Sequence, residues 1–367
     1  MSTKPIKTSF PFTESQFFFW TLIIFIIIFR FYQTQPTYHL TNIIRISGYV
    51  RSEPIRYDTA QSVKLAGLKA YLPRYPEIDY GDFIVIEGAV GEKGKLLKPV
   101  LINHQTSTNF LYQTRKQIIN EYRQILPEPH SSLVVGVVLG AKSSIPEDFW
   151  QALKKTGTAH VVVASGMNVT LVAGFLMNFL VTIINRKKAI IFALLGIWLY
   201  TMLSGFDAPL VRAAIMGSIA FSAQGLGKLY SAWRALFLSA ALMLIFTPSW
   251  LTDLGFILSF LATASLMLFE SKINRLISFI PNPFREGLAT SLAAQIGVAP
   301  ILYLTFGQLS ILSPLINALI LWTIPLITII GGVGAIASLI HPVLSLPFIY
   351  AVYPLTSWFI FVVEFFS

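Results

Sequence analysis

There is no cysteine among the 367 residues. That excludes a disulfide framework, a thiolate metal site and a cysteine nucleophile. Histidine is nearly as scarce. His39, His104, His130, His160 and His341 stand singly, with no HxH or HExxH pair to hold a catalytic metal. No phosphate-binding loop is present either: Gly91-Glu92-Lys93-Gly94-Lys95-Leu96 lacks the first glycine spacing and the Ser/Thr. No metal and no cofactor are expected, and no energy source is visible in the sequence. Charge is thin as well, at 12% of residues against 54% hydrophobic.

What is there is apolar surface beyond what one soluble core can hide, with a mean hydropathy of +0.67. The expected fold class is an α-helical polytopic membrane protein with a small extracytoplasmic all-β domain. The net charge of +10 is compatible with nucleic acid, with anionic lipid, or with the basic bias of cytoplasmic loops.

Four segments are expected. Residues 1–36 hold a tail with Lys4 and Lys7 and a first span over 17–29; with no small-residue cleavage site, it reads as a retained helix. Residues 37–106 read as short strands near 44–47, 63–65, 83–87 and 96–102, broken by Pro54, Gly67, Pro73, Pro76 and Gly81-Asp82. This pattern is OB-like, and OB-folds often bind single strands through basic grooves and aromatic faces. Tyr49, Arg51, Arg56, Lys64, Lys69, Tyr71 and Arg74 are the candidates for such contacts. The alternative is a spacer domain with ordinary surface charge, because Glu53, Asp58, Glu77, Asp79 and Asp82 are interleaved.

Residues 107–157 read as three amphipathic interfacial helices, at 110–126, 131–140 and 147–155, with Arg115, Lys116 and Arg123 among the lipid headgroups. Residues 158–367 form the multi-span domain, with spans expected at 160–184, 188–203, 209–226, 230–246, 253–269, 288–306, 311–339 and 346–365. With the N-terminus inside, Arg186-Lys187-Lys188, Lys228 with Arg234, and Lys272, Arg275 and Arg285 fall on the cytoplasmic side. The opposite loops carry Asp207 and Asp253, and the β domain lies outside.

Polar groups in hydrocarbon need a structural reason or a task. On an ideal helix His160, Ser165 and Asn168 span an arc of about 140°, while Gly166, Thr170 and Gly174 form a small-residue packing seam. The polar arc is either interhelical glue or the lining of a hydrated path. Arg212 must pair, with Asp207 or a backbone carbonyl, or face water and contact phosphate. Gln295, Pro300, Pro314, Asn317, Pro325 and the run Gly331-Gly332-Val333-Gly334 interrupt the late spans, as broken helices around a cavity do. An intramembrane hydrolase with Ser165 as nucleophile, His160 as base and Asp207 as orienter is the rival reading. A small-solute or lipid transporter is another.

The run from Thr156-Gly157-Thr158-Ala159-His160 through Ser165-Gly166-Met167-Asn168-Val169 resembles the HLLxxSGLH signature of the ComEC family of competence proteins. Leu139-Gly140 with Ile145-Pro146 and Phe149 resembles the stretch before that signature. Ser204-Gly205 through Pro209 to Met216 is similar to the family's G…PSxxRAxxM, and 255–260 to its GFxLSF. Ala294-Gln295, Pro300, Phe306-Gly307 and Asn317 follow its AQxxxxPxxxxxFG…N order. The resemblance implies passage of single-stranded DNA through the bacterial inner membrane during natural transformation. It also implies a DNA receptor, a nuclease and a cytoplasmic ATPase or helicase as partners. His160, Ser165, Gly166, Asn168, Asp207, Arg212, Gln295 and Asn317 are then expected to line the path. Asn168 stands where the family signature has its second histidine. The metallo-β-lactamase-like domain of many members is not seen before Ser367, so strand degradation is expected to fall to another protein.

Overall fold

The computed structural model describes residues 14–34, 43–57, 59–91, 94–143, 145–163, 165–282, 284–307, 310 and 312–367. Lys4, Lys7, Asp58, Glu92 and Lys93 lie outside the described residues. Helix α1 (Glu14–Thr34) leads to a six-stranded mixed sheet of β1 (Ile43–Tyr49), β2 (Ile55–Arg56), β3 (Ala60–Leu65), β4 (Leu68–Pro73), β5 (Phe83–Val90) and β6 (Lys95–Gln105). The strand order is β1-β5-β6-β4-β3-β2, antiparallel except for the β4–β6 pair. Strict alternation drives it. Ile84, Ile86 and Val90 of β5 are buried with Ile46, Val63, Leu65, Leu72 and Leu96, while the residues between them face outward. The β3–β4 hairpin closes through Ala66 (φ 51°) and Gly67 (φ 81°), the double left-handed turn for which glycine is the natural second residue.

Helices α2 (Phe110–Ile125), α3 (His130–Leu139) and α4 (Glu147–Thr156) follow. The expectation that all three lie among headgroups meets a different arrangement. Every residue of α3 from Ser131 to Leu139 is buried, and the apolar face of α2, Ile118 and Tyr122, joins the same protein core. The reason is hydrophobicity on all sides of α3, which marks a helix enclosed by others. Glycines of the later helix α13 (Thr323–Ile340) make the room. A Cβ on Gly331 would lie 2.9 Å from Val138, and one on Gly334 2.8 Å from the Tyr122 hydroxyl. Tyr122 donates to the Gly331 carbonyl at 2.5 Å. The glycine run therefore packs within a continuous helix and does not interrupt it.

The remaining helices are α5 (Ala159–Val162), α6 (Gly166–Ile183), α7 (Arg186–Leu203), α8 (Ala208–Gly225), α9 (Ala232–Phe246), α10 (Leu254–Leu276), α11 (Phe284–Phe306), α12 (Ser313–Ile320) and α14 (Pro342–Phe365). Among the described residues, five stretches are long and apolar enough to cross a membrane: Ala159–Ile183, Leu254–Leu276, Phe284–Thr305, Thr323–Ile340 and Pro342–Phe365. The chain is a multi-pass membrane protein with a small β domain. Two expected spans are split: 160–184 breaks between α5 and α6, and 311–339 breaks between α12 and α13 at residues 321–322.

The β domain is bolted to the helices at one end of the bundle. Arg115 of α2 lies 2.9 Å from Glu53, both side chains buried. It also stacks on Tyr80 at 5.2 Å and donates to the Leu139 carbonyl at the end of α3 at 3.2 Å. The ion pair is close but not aligned as a hydrogen bond, leaving Glu53 Oε2 and Arg115 Nε without one. Glu53 Oε1 accepts from Ser143 at 2.9 Å. Lys116 pairs with Asp79 at 2.7 Å. Arg115 and Lys116 thus face the β domain, not headgroups. Lys142–Asp207 at 3.1 Å and Lys64–Asp253 at 3.8 Å add contacts within the same end.

Asp79 makes this junction acid-sensitive. Burial alone would raise its pKa; the hydrogen bond from Lys116 and the charge of Arg56 outweigh it and hold the carboxyl below its ordinary value. Such a group contributes stability above the ordinary carboxylate range and loses it as pH falls through its lowered value. Hydrogen exchange at the strand ends near Asp79, corrected for intrinsic rates, is expected to stay flat from neutral pH down to about pH 4 and to rise below it. Asp79→Asn should show raised exchange already at neutral pH and a flattened acid limb; an unchanged acid limb would contradict this assignment.

Candidate functional site

Two stretches of non-helical backbone meet beside α11, and a third lies between α5 and α6. The two that meet are the turn at Gly157-Thr158 and the described residues Gly307, Ser310 and Leu312 between α11 and α12; the third is the break at Val163 and Ser165. Gln295 sits midway along α11, about 16 Å from either end at 1.5 Å per residue. Its side-chain amide donates to the Ser310 carbonyl at 3.3 Å, so the segment after α11 turns back to the middle of that span. Ser313 Oγ in turn donates to the Gly157 carbonyl at 3.3 Å. The same carbonyl is 3.0 Å from His160 Nδ1. Asn317 Nδ2 is 3.4 Å from Ser313 Oγ. Gly157 has φ +71°, and a Cβ there would lie 2.9 Å from Ser313 and 3.1 Å from Ser310; the left-handed turn and the close approach both require glycine. His160, Gln295 and Asn317, far apart in sequence, share one polar cluster.

A second cluster surrounds the start of α6. The ideal-helix arc for His160, Ser165 and Asn168 is overturned, because α5 ends at Val162 and α6 starts afresh at Gly166. The packing seam is not formed as expected: Thr170 bonds its own helix at the Gly166 carbonyl, and nothing approaches Gly174 within 4 Å. Asn168 is fully buried and donates to the Val137 carbonyl of α3 at 2.8 Å. Val137 is among the last residues of α3, whose carbonyls have no partner within the helix. The amide therefore caps that helix, while Gly140 N caps the Gly136 carbonyl at 2.9 Å and Arg115 caps Leu139. Asn168 Oδ1, Tyr200 Oη and Ser204 Oγ are buried side by side, and none makes a well-aligned hydrogen bond among the described residues.

Arg212 pairs with neither partner expected for it. Asp207 is taken by Lys142, and the Arg212 guanidinium bonds Thr263 Oγ1 of α10 and lies 5.9 Å from the Phe260 ring. Its Nη2 packs against Gly166, where a Cβ would be 2.7 Å away. The hydrolase constellation is not assembled: Asp207 serves Lys142 and His160 Nδ1 meets the Gly157 carbonyl.

On the β domain the seven candidates separate. Arg56 is buried against Asp79 at 2.6 Å and Glu77 at 3.5 Å, which removes it from any open groove. Arg74 is held by Glu77 at 3.5 Å and the Tyr57 carbonyl at 2.8 Å. Tyr49, Arg51, Lys64 and Tyr71 are exposed and Lys69 half-buried. Lys64 and Lys69 stand opposite each other across β3 and β4, with Lys69 over the Tyr71 ring at 4.9 Å.

The family model described as competence protein matches residues 137–367. The chain belongs to the competence-protein family. It is 32% identical over 249 residues to ComE operon protein 3 of Bacillus subtilis, covering 65% of this chain and 30% of that protein. It is 27% identical over 248 residues to competence protein ComA of Neisseria gonorrhoeae, covering 61% and 34%. An uncharacterized protein of Escherichia coli, YcaI, is 24% identical over 220 residues, covering 56% and 28%. The matched region spans about a third of these relatives' own length. No solved structure matches the chain. The matched competence region contains both clusters. Sequence reasoning placed Gly157 in the signature-like run without a role of its own, and missed Ser310, Ser313 and Thr263. Each of these three is a small polar residue in an apolar context and carries no motif of its own.

Proposed function

We propose that the chain forms a polar path by which single-stranded DNA crosses the bacterial cytoplasmic membrane during transformation. The observation that carries this reading is the meeting of two helix breaks at the mid-length of α11. Irregular backbone at membrane depth is tolerated where it is enclosed by protein or lines a hydrated cavity, and here it brings His160, Gln295, Ser310, Ser313 and Asn317 together. Charge supplies the direction. Arg186-Lys187-Lys188, Lys228, Arg234, Lys272, Arg275 and Arg285 lie at helix ends opposite those of Asp207 and Asp253, a basic bias that supports an orientation with the N-terminus inside and the β domain outside. Lys64, Lys69, Tyr71, Tyr49 and Arg51 then present basic and aromatic groups to DNA arriving from outside. A receptor delivers the DNA, a separate nuclease removes the complementary strand, and a cytoplasmic ATPase or helicase pulls.

The test is uptake of duplex DNA labelled separately in each strand, in a strain lacking its own competence channel and complemented with this chain. Label from one strand alone is expected in the cytoplasm. If complementation never brings in single-stranded label while the receptor, nuclease and ATPase are present, the path reading is wrong.

A further inference from the structure

The guanidinium of Arg212 is a deeply placed charge that no carboxylate of the described residues balances. The nearby acid, Asp207, is neutralised by Lys142, and the contacts of Arg212 are a hydroxyl, the Met216 thioether at 4.0 Å and an aromatic ring, none of them charged. Its Nε is buried without any partner. A cation in a membrane bundle must find a counter-charge or water. The group beside it makes the deficit larger. Nη2 abuts Gly166, the first residue of α6, an 18-residue helix whose cap residue Ser165 gives no side-chain hydrogen bond. The start of a helix carries about half a positive charge and free N–H donors. Two positive groups are thus pressed together from α6 and α8, with Thr263 of α10 alongside. Without an anion this contact is repulsive; with one between them, both sets of donors are satisfied.

We propose that Arg212 and the start of α6 hold a backbone phosphodiester of single-stranded nucleic acid as it passes; this rests on the DNA-path reading above. A phosphodiester bears one negative charge and two free oxygens, enough to engage the guanidinium and the N–H groups of Gly166 and Met167 at once. Glycine at 166 leaves the space that a side chain would take from the guanidinium. The position among three helices, and not on the outer surface of one, favours nucleic acid over a lipid headgroup as the source of that phosphate.

The experiment uses the full chain in lipid nanodiscs with a single-stranded oligonucleotide carrying photoreactive thiothymidine, and maps crosslinks by peptide. Crosslinks are expected in the peptides around Gly166 and Arg212. Arg212→Gln should lower their yield about tenfold or more, the loss of a charged hydrogen-bonding group, while Arg212→Lys keeps an intermediate yield. An oligonucleotide with an uncharged methylphosphonate backbone should crosslink equally weakly to wild type and Arg212→Gln. Gly166→Ala, which keeps the charge but crowds Nη2, should also lower the yield and decides the matter if Arg212→Gln does not fold. Equal yields for wild type and both variants, or full crosslinking of the neutral backbone, would overturn the proposal. Suppression of the crosslinks by phosphatidylglycerol in the disc would assign the site to a lipid headgroup and overturn it as well. Crosslinks at His160 and Gln295 but not here would sink this station alone; none anywhere in the bundle would sink the path reading itself.

Discussion

Arg115→Leu is expected to release the β domain from the helices and to cost about 3–5 kcal/mol, because it strands a buried carboxylate. Glu53 would keep only the Ser143 hydroxyl, Tyr80 would lose its stacked cation, and the Leu139 carbonyl would lose its donor. The double substitution Arg115→Leu with Glu53→Leu should recover most of the loss, since replacing a whole buried pair by apolar groups is often near neutral. Protease sensitivity between β6 and α2, with the thermal midpoint of the detergent-solubilised chain, measures both. A single variant as stable as wild type, or a double variant no better than the single, would show that Arg115 does not hold the junction.

The second large effect is expected at Asn168, where the direction of one hydrogen bond decides the outcome. Asn168→Asp is nearly isosteric but puts an acceptor against the Val137 carbonyl, leaving the end of α3 uncapped and adding a buried charge. A loss of about 2–5 kcal/mol follows, with uptake abolished. Asn168→His keeps a ring N–H able to donate and should retain uptake. That result would also explain how asparagine stands where the family signature places histidine: either residue offers a donor to the same carbonyl. Equal activity of the Asp and His variants would refute the capping role.

Composition was enough to read the membrane class, because lipid-facing surface leaves no alternative for so apolar a chain. The β domain was equally legible, since alternation in β5 is a local property. What alternation and spacing do not carry is long-range partnering. Arg115 looked like a headgroup residue because its helix is amphipathic, and only the fold shows that its polar face meets Glu53. Likewise the interval from His160 to Asn168 assumed one helix, whereas Gly157 and the carbonyl of Val162, packed 2.7 Å from the position of a Cβ on Gly136, accommodate a break. The motif residues are polar groups set in apolar runs. Their tasks divide between capping a buried helix, as Asn168 does, and joining the helix breaks, as His160, Gln295 and Asn317 do.

Because the chain contains no cysteine, the central claim is open to direct chemical labelling. Single cysteines at His160→Cys, Ser165→Cys and Ser310→Cys, with Leu195→Cys on the exposed apolar face of α7 as the lipid-facing control, would be treated with a charged, membrane-impermeant thiol reagent. The account predicts labelling at 160, 165 and 310 but not at 195, and slowing of the reaction at those three sites by single-stranded DNA. Labelling no faster than at 195, or labelling that DNA leaves unchanged, would contradict a DNA path through the helix breaks.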